Sequence, residues 1–118
     1  MNLPSYFKNA DDVRICASGE VVFATGDEGD RMYVVLEGEV EVSAGGVVLD
    51  TLGPGSLVGE MALIDAQVRS ATATAKSACR LAPVTEKRFL FMVQQTPFFA
   101  LQVMRILAER LRRSNQRL

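Results

Sequence analysis

Residues 59–75 read GEMALIDAQVRSATATA, with one Glu and one Arg set among small and apolar neighbours. Leu57-Val58-Gly59 reads as the end of a strand. Glu60 to Ile64 has the spacing of a single helical turn, stopped by Asp65, and the stretch after Arg69 alternates Ala with hydroxyl residues, the period of a half-buried strand. Gly59 lets another group approach the backbone closely. The N–H groups at the start of such a turn favour an anion, and the Arg69 guanidinium with the Ser70 hydroxyl beside it suits a phosphate. Small side chains at Ala71, Ala73 and Ala75 leave space. Glu60 is the wrong group for a bare phosphate but suits a sugar hydroxyl next to one, so these residues imply a phosphate fused to a ribose. The competing reading is a Glu60–Arg69 salt bridge that merely closes the turn.

Upstream, short apolar runs alternate with Gly-rich punctuation. Val13–Ala17, Val21–Ala24, Met32–Glu37, Glu39–Ala44 and Val47–Leu52 read as strands, separated by turn signals such as Gly26-Asp-Glu-Gly-Asp30, Gly45-Gly46 and Gly53-Pro-Gly-Ser56. Glu37-Gly-Glu-Val-Glu-Val42 has period two, which points Val40 and Val42 to a core and Glu39 and Glu41 to water. Regular turns of this kind predict an all-β barrel or jelly roll. After Pro83 the pattern becomes helical: Thr85 to Gln95 has no Gly or Pro, and Thr96-Pro97 is a start signal for a second, longer helix running toward Arg117. Leu101, Met104, Ala108, Leu111, Asn115 and Leu118 step by three and four along it, an a/d seam with one polar position. Such a seam packs either on the β part or on a second chain. The expected architecture is therefore mainly β, a double-stranded β-helix (jelly roll or β-roll) with a short helix in the quoted segment and two C-terminal helices. One domain is expected over 1–118, with the β-roll at 13–84 and the helices at 85–118.

Composition narrows the function classes. The 118 residues carry a net charge of -1, which does not suit a general nucleic-acid coat, although five arginines from Arg105 to Arg117 make the C-terminal end basic. There is no His, and Cys16 and Cys79 are the only cysteines, so a zinc site, a cupin-type metal centre, haem ligation by His and an iron–sulfur cluster are all disfavoured. The two cysteines read as small buried strand residues. No secretory leader and no run of membrane-spanning length is read, and a cytoplasmic setting is expected.

The quoted segment resembles the phosphate-binding cassette of cyclic nucleotide-binding domains. The family pattern is Gly-Glu-hydrophobic-Ala/Gly-Leu, a short variable loop, then Arg-Ser/Thr/Ala-Ala; here Gly59-Glu60-Met61-Ala62-Leu63 and Arg69-Ser70-Ala71 supply it. Gly26 to Val40 looks like the family's strand pair, and Gly53-Pro54-Gly55 like the turn entering the cassette. The resemblance, from about Val13 onward, implies a regulatory module rather than an enzyme, with a cyclic mononucleotide as ligand: cAMP first, cGMP second. It implies Glu60 on the ribose 2′-hydroxyl, Arg69 on the cyclic phosphate with Ser70 adding a hydroxyl, and Gly59 with the Met61 and Ala62 amides lining the pocket. By similarity to members of the catabolite-activator type, Arg110 lies toward the ribose, and Ser114 and Asn115 meet the purine, one from each chain of a pair. No metal, cofactor or catalytic residue is implied.

The sequence departs from the family in having Val58 where many members have Phe, a cassette loop a residue shorter, and a shorter start. No helix-turn-helix is read after Leu118, so DNA binding is not implied. The expected output is through the C-terminal helix, to a second copy in a homodimer or to an unidentified effector protein. The alternative is a ligand-independent interaction module of the same fold, with a non-functional or self-occluded pocket.

Overall fold

A computed structural model describes residues 3–7, 10–65 and 68–116. Among these residues the chain forms eight strands: β1 (Arg14–Cys16), β2 (Val21–Phe23), β3 (Arg31–Glu37), β4 (Val40–Ala44), β5 (Val47–Leu52), β6 (Leu57–Val58), β7 (Thr72–Ala75) and β8 (Cys79–Thr85). The helix α1 (Met61–Ile64) interrupts them, and α2 (Glu86–Gln95) and α3 (Phe98–Gln116) follow. The strands make two four-stranded antiparallel sheets, in the orders β1-β8-β3-β6 and β2-β7-β4-β5. This is the expected jelly-roll architecture.

Strand β3 shows why the layers stack as they do. Its run Met32-Tyr-Val-Val35 is buried at every position, which happens only when both faces of a sheet are covered. Tyr33 and Val35 join Val40, Leu52, Val58 and Leu81 in the core between the sheets. Met32 and Val34 point the other way, onto Phe99 and Val103 of α3 and onto Leu3 and Phe7 near the start of the chain. In β4, Val40 is buried and Val42 packs against the same core, as period two requires. Cys16 and Cys79 face each other across β1 and β8, both buried thiols on strands.

Strand β8 runs straight through Pro83 and ends at Thr85, beside the expected end of the β-roll at 84. Pro83 pairs with Tyr33, but β1 reaches only as far as Leu81, so no ladder is interrupted on the other side. The Pro83 carbonyl instead accepts from Arg88 Nη1 at 2.9 Å. Thr85 then caps α2, its Oγ1 accepting the Arg88 N–H at 3.2 Å. At the next helix start, the Thr96 carbonyl accepts the Phe99 N–H at 2.9 Å.

Helix α3 docks through Phe99, Val103, Ile106 and Leu107. Phe99 is fully buried and meets the rings of Tyr6, Phe7 and Phe89 edge-on, at centroid distances of 5.6, 6.2 and 5.6 Å. The seam predicted from sequence is a different face. Leu101, Met104, Ala108, Leu111 and Asn115 are all exposed, so that stripe does not pack on the β part; Leu118 lies outside the described residues.

Candidate functional site

Arg69 is the one buried charged residue of the described chain, 7% exposed. Its backbone is fixed to the turn after β2: Arg69 N–H donates to Asp27 O at 2.7 Å and Gly26 N–H donates to Arg69 O at 2.8 Å. Its guanidinium reaches inward, Nη1 donating to Gly59 O at 2.9 Å and Nη2 to Arg31 O at 2.7 Å. It lies over the Phe23 ring, 4.0 Å from the centroid. Nε is buried without a hydrogen-bond acceptor among the described residues.

Two glycines make room for this guanidinium. A Cβ on Gly59 would sit 2.4 Å from Nη1, and Gly59 also has φ +75°, a conformation that side chains disfavour. A Cβ on Gly29 would lie 2.9 Å from Nε.

None of the ion pairs among the described residues includes Arg69. Two carbonyls and a ring face are weak compensation for a desolvated full charge. Burial accordingly lowers the Arg69 pKa from its ordinary value, with Tyr33, Asp30 and Asp27 opposing the shift from a distance. The guanidinium nonetheless stays charged at any working pH. It is a buried cation in the lining of a cleft.

The Glu60–Arg69 salt bridge is absent. Glu60 pairs instead with Arg110 of α3, whose Nη1 donates to Glu60 Oε1 while Nη2 donates to Leu57 O at 2.6 Å. This pair ties the residue before α1 to a helix fifty positions away in sequence.

Gly59, Glu60, Met61, Ala62, Arg69 and Ser70 line one open cleft, and Arg110 lines it from α3. Met61 and Ala62 lie in the cleft lining, and the Ala62 N–H is engaged within the turn, donating to Gly59 O at 3.2 Å. Of the three small residues, only Ala71 lines the cleft; Ala73 and Ala75 are buried in the core between the sheets. Ser114 lies in an adjoining cleft that shares Val42, Leu52 and Arg110 with the first, whereas Asn115 is exposed and lines neither. Val58, the departure from the family's Phe, is buried in the inter-sheet core and lines the cleft floor. The shortened loop includes Ala66 and Gln67, outside the described residues. Sequence reading missed Phe23, Gly29 and the Arg31 carbonyl, which no local spacing connects to Arg69.

The sequence profile of the cyclic nucleotide-binding domain matches residues 13–96. The chain belongs to that family. This domain is 34% identical over 116 residues to the cyclic AMP receptor protein of Thermus thermophilus, a match covering 94% of the chain and 52% of that protein. The crystal structure of the Thermus thermophilus catabolite activator protein superposes with a TM-score of 0.78 at 29% identity, covering 98% of this chain and 61% of that one. An EAL enzyme solved in a cAMP-bound form is 36% identical, with a TM-score of 0.63 and coverage of 88% and 29%. Its cGMP-bound form gives 36%, 0.64, 89% and 29%. The domain thus spans about half the length of the curated relatives it matches. No helix among the described residues is long and apolar enough to cross a membrane.

Proposed function

We propose that this domain is a non-enzymatic sensor of a cyclic mononucleotide, cAMP first, and that it signals through α3. The observation that carries the reading is the buried Arg69 guanidinium with no carboxylate partner, in the lining of a cleft that also holds Glu60 and Ser70. A cyclic phosphate supplies the missing counter-charge, with Ser70 adding a hydroxyl and Gly59, Met61 and Ala62 forming the wall. Glu60 takes the ribose 2′-hydroxyl. Supporting cAMP is the likeness to a cyclic AMP receptor protein; supporting cGMP as a second ligand is the likeness to an enzyme solved with either nucleotide.

Output follows from Arg110. Because it joins Glu60 to α3, a sugar hydroxyl on Glu60 competes with or reorients that pair, giving the ligand a differential contact with one helix position over another. The exposed stripe Leu101, Met104, Ala108 and Leu111 is the surface on which a second copy or an effector would register this, with Ser114 and Asn115 toward the base. A cyclic mononucleotide has about 22 non-hydrogen atoms, and at roughly 0.3 kcal/mol per atom binding is worth about 7 kcal/mol, a Kd of roughly 10 μM. Calorimetric titration with cAMP and cGMP tests the reading. Saturable binding in that range is expected, and the absence of binding by both nucleotides at millimolar concentration would overturn it.

A further inference from the structure

A second cleft borders α1 on its other side. Met61 and Ala62 line the Arg69 cleft, whereas the next two residues, Leu63 and Ile64, line this one. Met32 of β3 and Val103 of α3 are almost fully buried and make its floor. Phe89 and Leu90 of α2 and Met104 of α3 complete the walls. Ile64, Leu90 and Met104 are each more than half exposed, so apolar side chains from three helices converge on a hollow that no described residue fills. Single exposed apolar residues are ordinary on a protein surface. Apolar residues gathered round a concavity with a few polar groups are the usual make-up of a small-molecule site.

The charged side chains of this cleft are of one sign. Glu60 and Glu86 line it, and among the described residues no Lys or Arg does. The Glu60 carboxylate is already engaged, accepting from Arg110. Glu86, in the first turn of α2, takes part in none of the ion pairs among the described residues. The helix dipole favours a carboxylate there and leaves its oxygens open to a cationic neighbour. We propose that this cleft is a second ligand site, distinct from the Arg69 cleft, for an apolar molecule bearing one cationic group, of the alkylammonium class. The apolar chain lies over Met32 and Val103, where its removal from water drives binding. The ammonium group stays at the rim beside Glu86. A carboxylate on the same chain would meet Glu86 and Glu60 with no cation in the lining to receive it, which selects against fatty acids.

Calorimetric titration of wild type with octylammonium, octanol and octanoate separates the charge from the chain. Octylammonium is expected to saturate at one per chain. It should bind roughly threefold more tightly than octanol, as an exposed ion pair allows, and about tenfold more tightly than octanoate. Glu86→Gln, at an exposed position, should remove most of the preference over octanol. Leu90→Lys puts a cation on the wall and should reverse the order of octylammonium and octanoate. The wild-type comparison holds even where a variant folds poorly. No saturable binding of octylammonium, equal wild-type affinity for the three, a preference for octanoate, or a preference that either folded variant leaves unchanged overturns the proposal. So does dissociation of a wild-type dimer by Leu90→Lys in sedimentation, because a second copy would then occupy the cleft. No nucleotide enters the titration, so each of these outcomes leaves the reading of the Arg69 cleft intact.

Discussion

At Arg69 a full charge is held in a nearly closed place by two carbonyl oxygens and a ring face, with Nε unpaired. The position of the guanidinium depends on Gly59, since a Cβ there would meet Nη1 at 2.4 Å. Gly59→Ala combines that overlap with a left-handed backbone that costs about 1–2 kcal/mol for a residue with a side chain. It is expected to lower the melting temperature and weaken nucleotide binding together, and calorimetry of both would check it; a variant that melts and binds as wild type does would remove Gly59 from the site. Glu60 gives a separate prediction. A charged acceptor left unpaired discriminates strongly, so binding of a 2′-deoxy cyclic nucleotide should fall at least about tenfold in wild type. Glu60→Ala should erase the difference. Equal affinity for the two sugars in wild type would leave Glu60 as the partner of Arg110 alone.

At the scale of elements, α3 divides its faces between two tasks. Phe99, beneath three other rings, anchors the helix to the outer face of the first sheet. Phe99→Ala should cost about 3–5 kcal/mol of stability, measured by denaturant unfolding, because the cavity sits where α3, α2 and the chain start converge. A loss under about 1 kcal/mol would show that the helix is held elsewhere. The exposed stripe is tested by Leu111→Glu, 62% exposed in wild type. This variant should dissociate a wild-type dimer in sedimentation and leave the Arg69 cleft intact. A wild type that sediments as a monomer at tens of micromolar, with and without nucleotide, would remove the stripe as a self-association surface.

The elements also show what the sequence made legible. Strand periods are local, so Val40 and Val42 could be placed inward from six residues alone, and the Gly- and Pro-free run from Thr85 to Gln95 marked α2. The docking face of α3 was not legible. This helix carries apolar residues on more than one face, and which stripe meets the sheet depends on where β3 exposes Met32 and Val34. The reason Pro83 is tolerated inside β8 was not legible either, since it depends on how far β1 extends.

For the molecule as a whole, the site is assembled from segments far apart in the chain. The Gly59–Ser70 segment carries the cassette signature in one stretch and could be read directly. Phe23 lines the cleft and the Arg31 carbonyl holds the guanidinium only once their strands have paired, so no spacing rule finds them. The Glu60–Arg110 contact likewise needs α3 to be docked before it exists. Ligand binding to such a site stabilises the folded state by mass action, about 2.7 kcal/mol at a hundredfold excess over Kd. The claim on which the rest depends is that the unpartnered Arg69 charge holds the cyclic phosphate. Calorimetric titration of wild type, Arg69→Ala and Arg69→Lys with cAMP measures it most directly. Arg69→Ala should bind more weakly by about 2–4 kcal/mol, because the phosphate enters the cleft without its counter-charge. Arg69→Lys should recover only part of that, lacking the planar fork. Wild-type affinity in a folded Arg69→Ala would contradict the account.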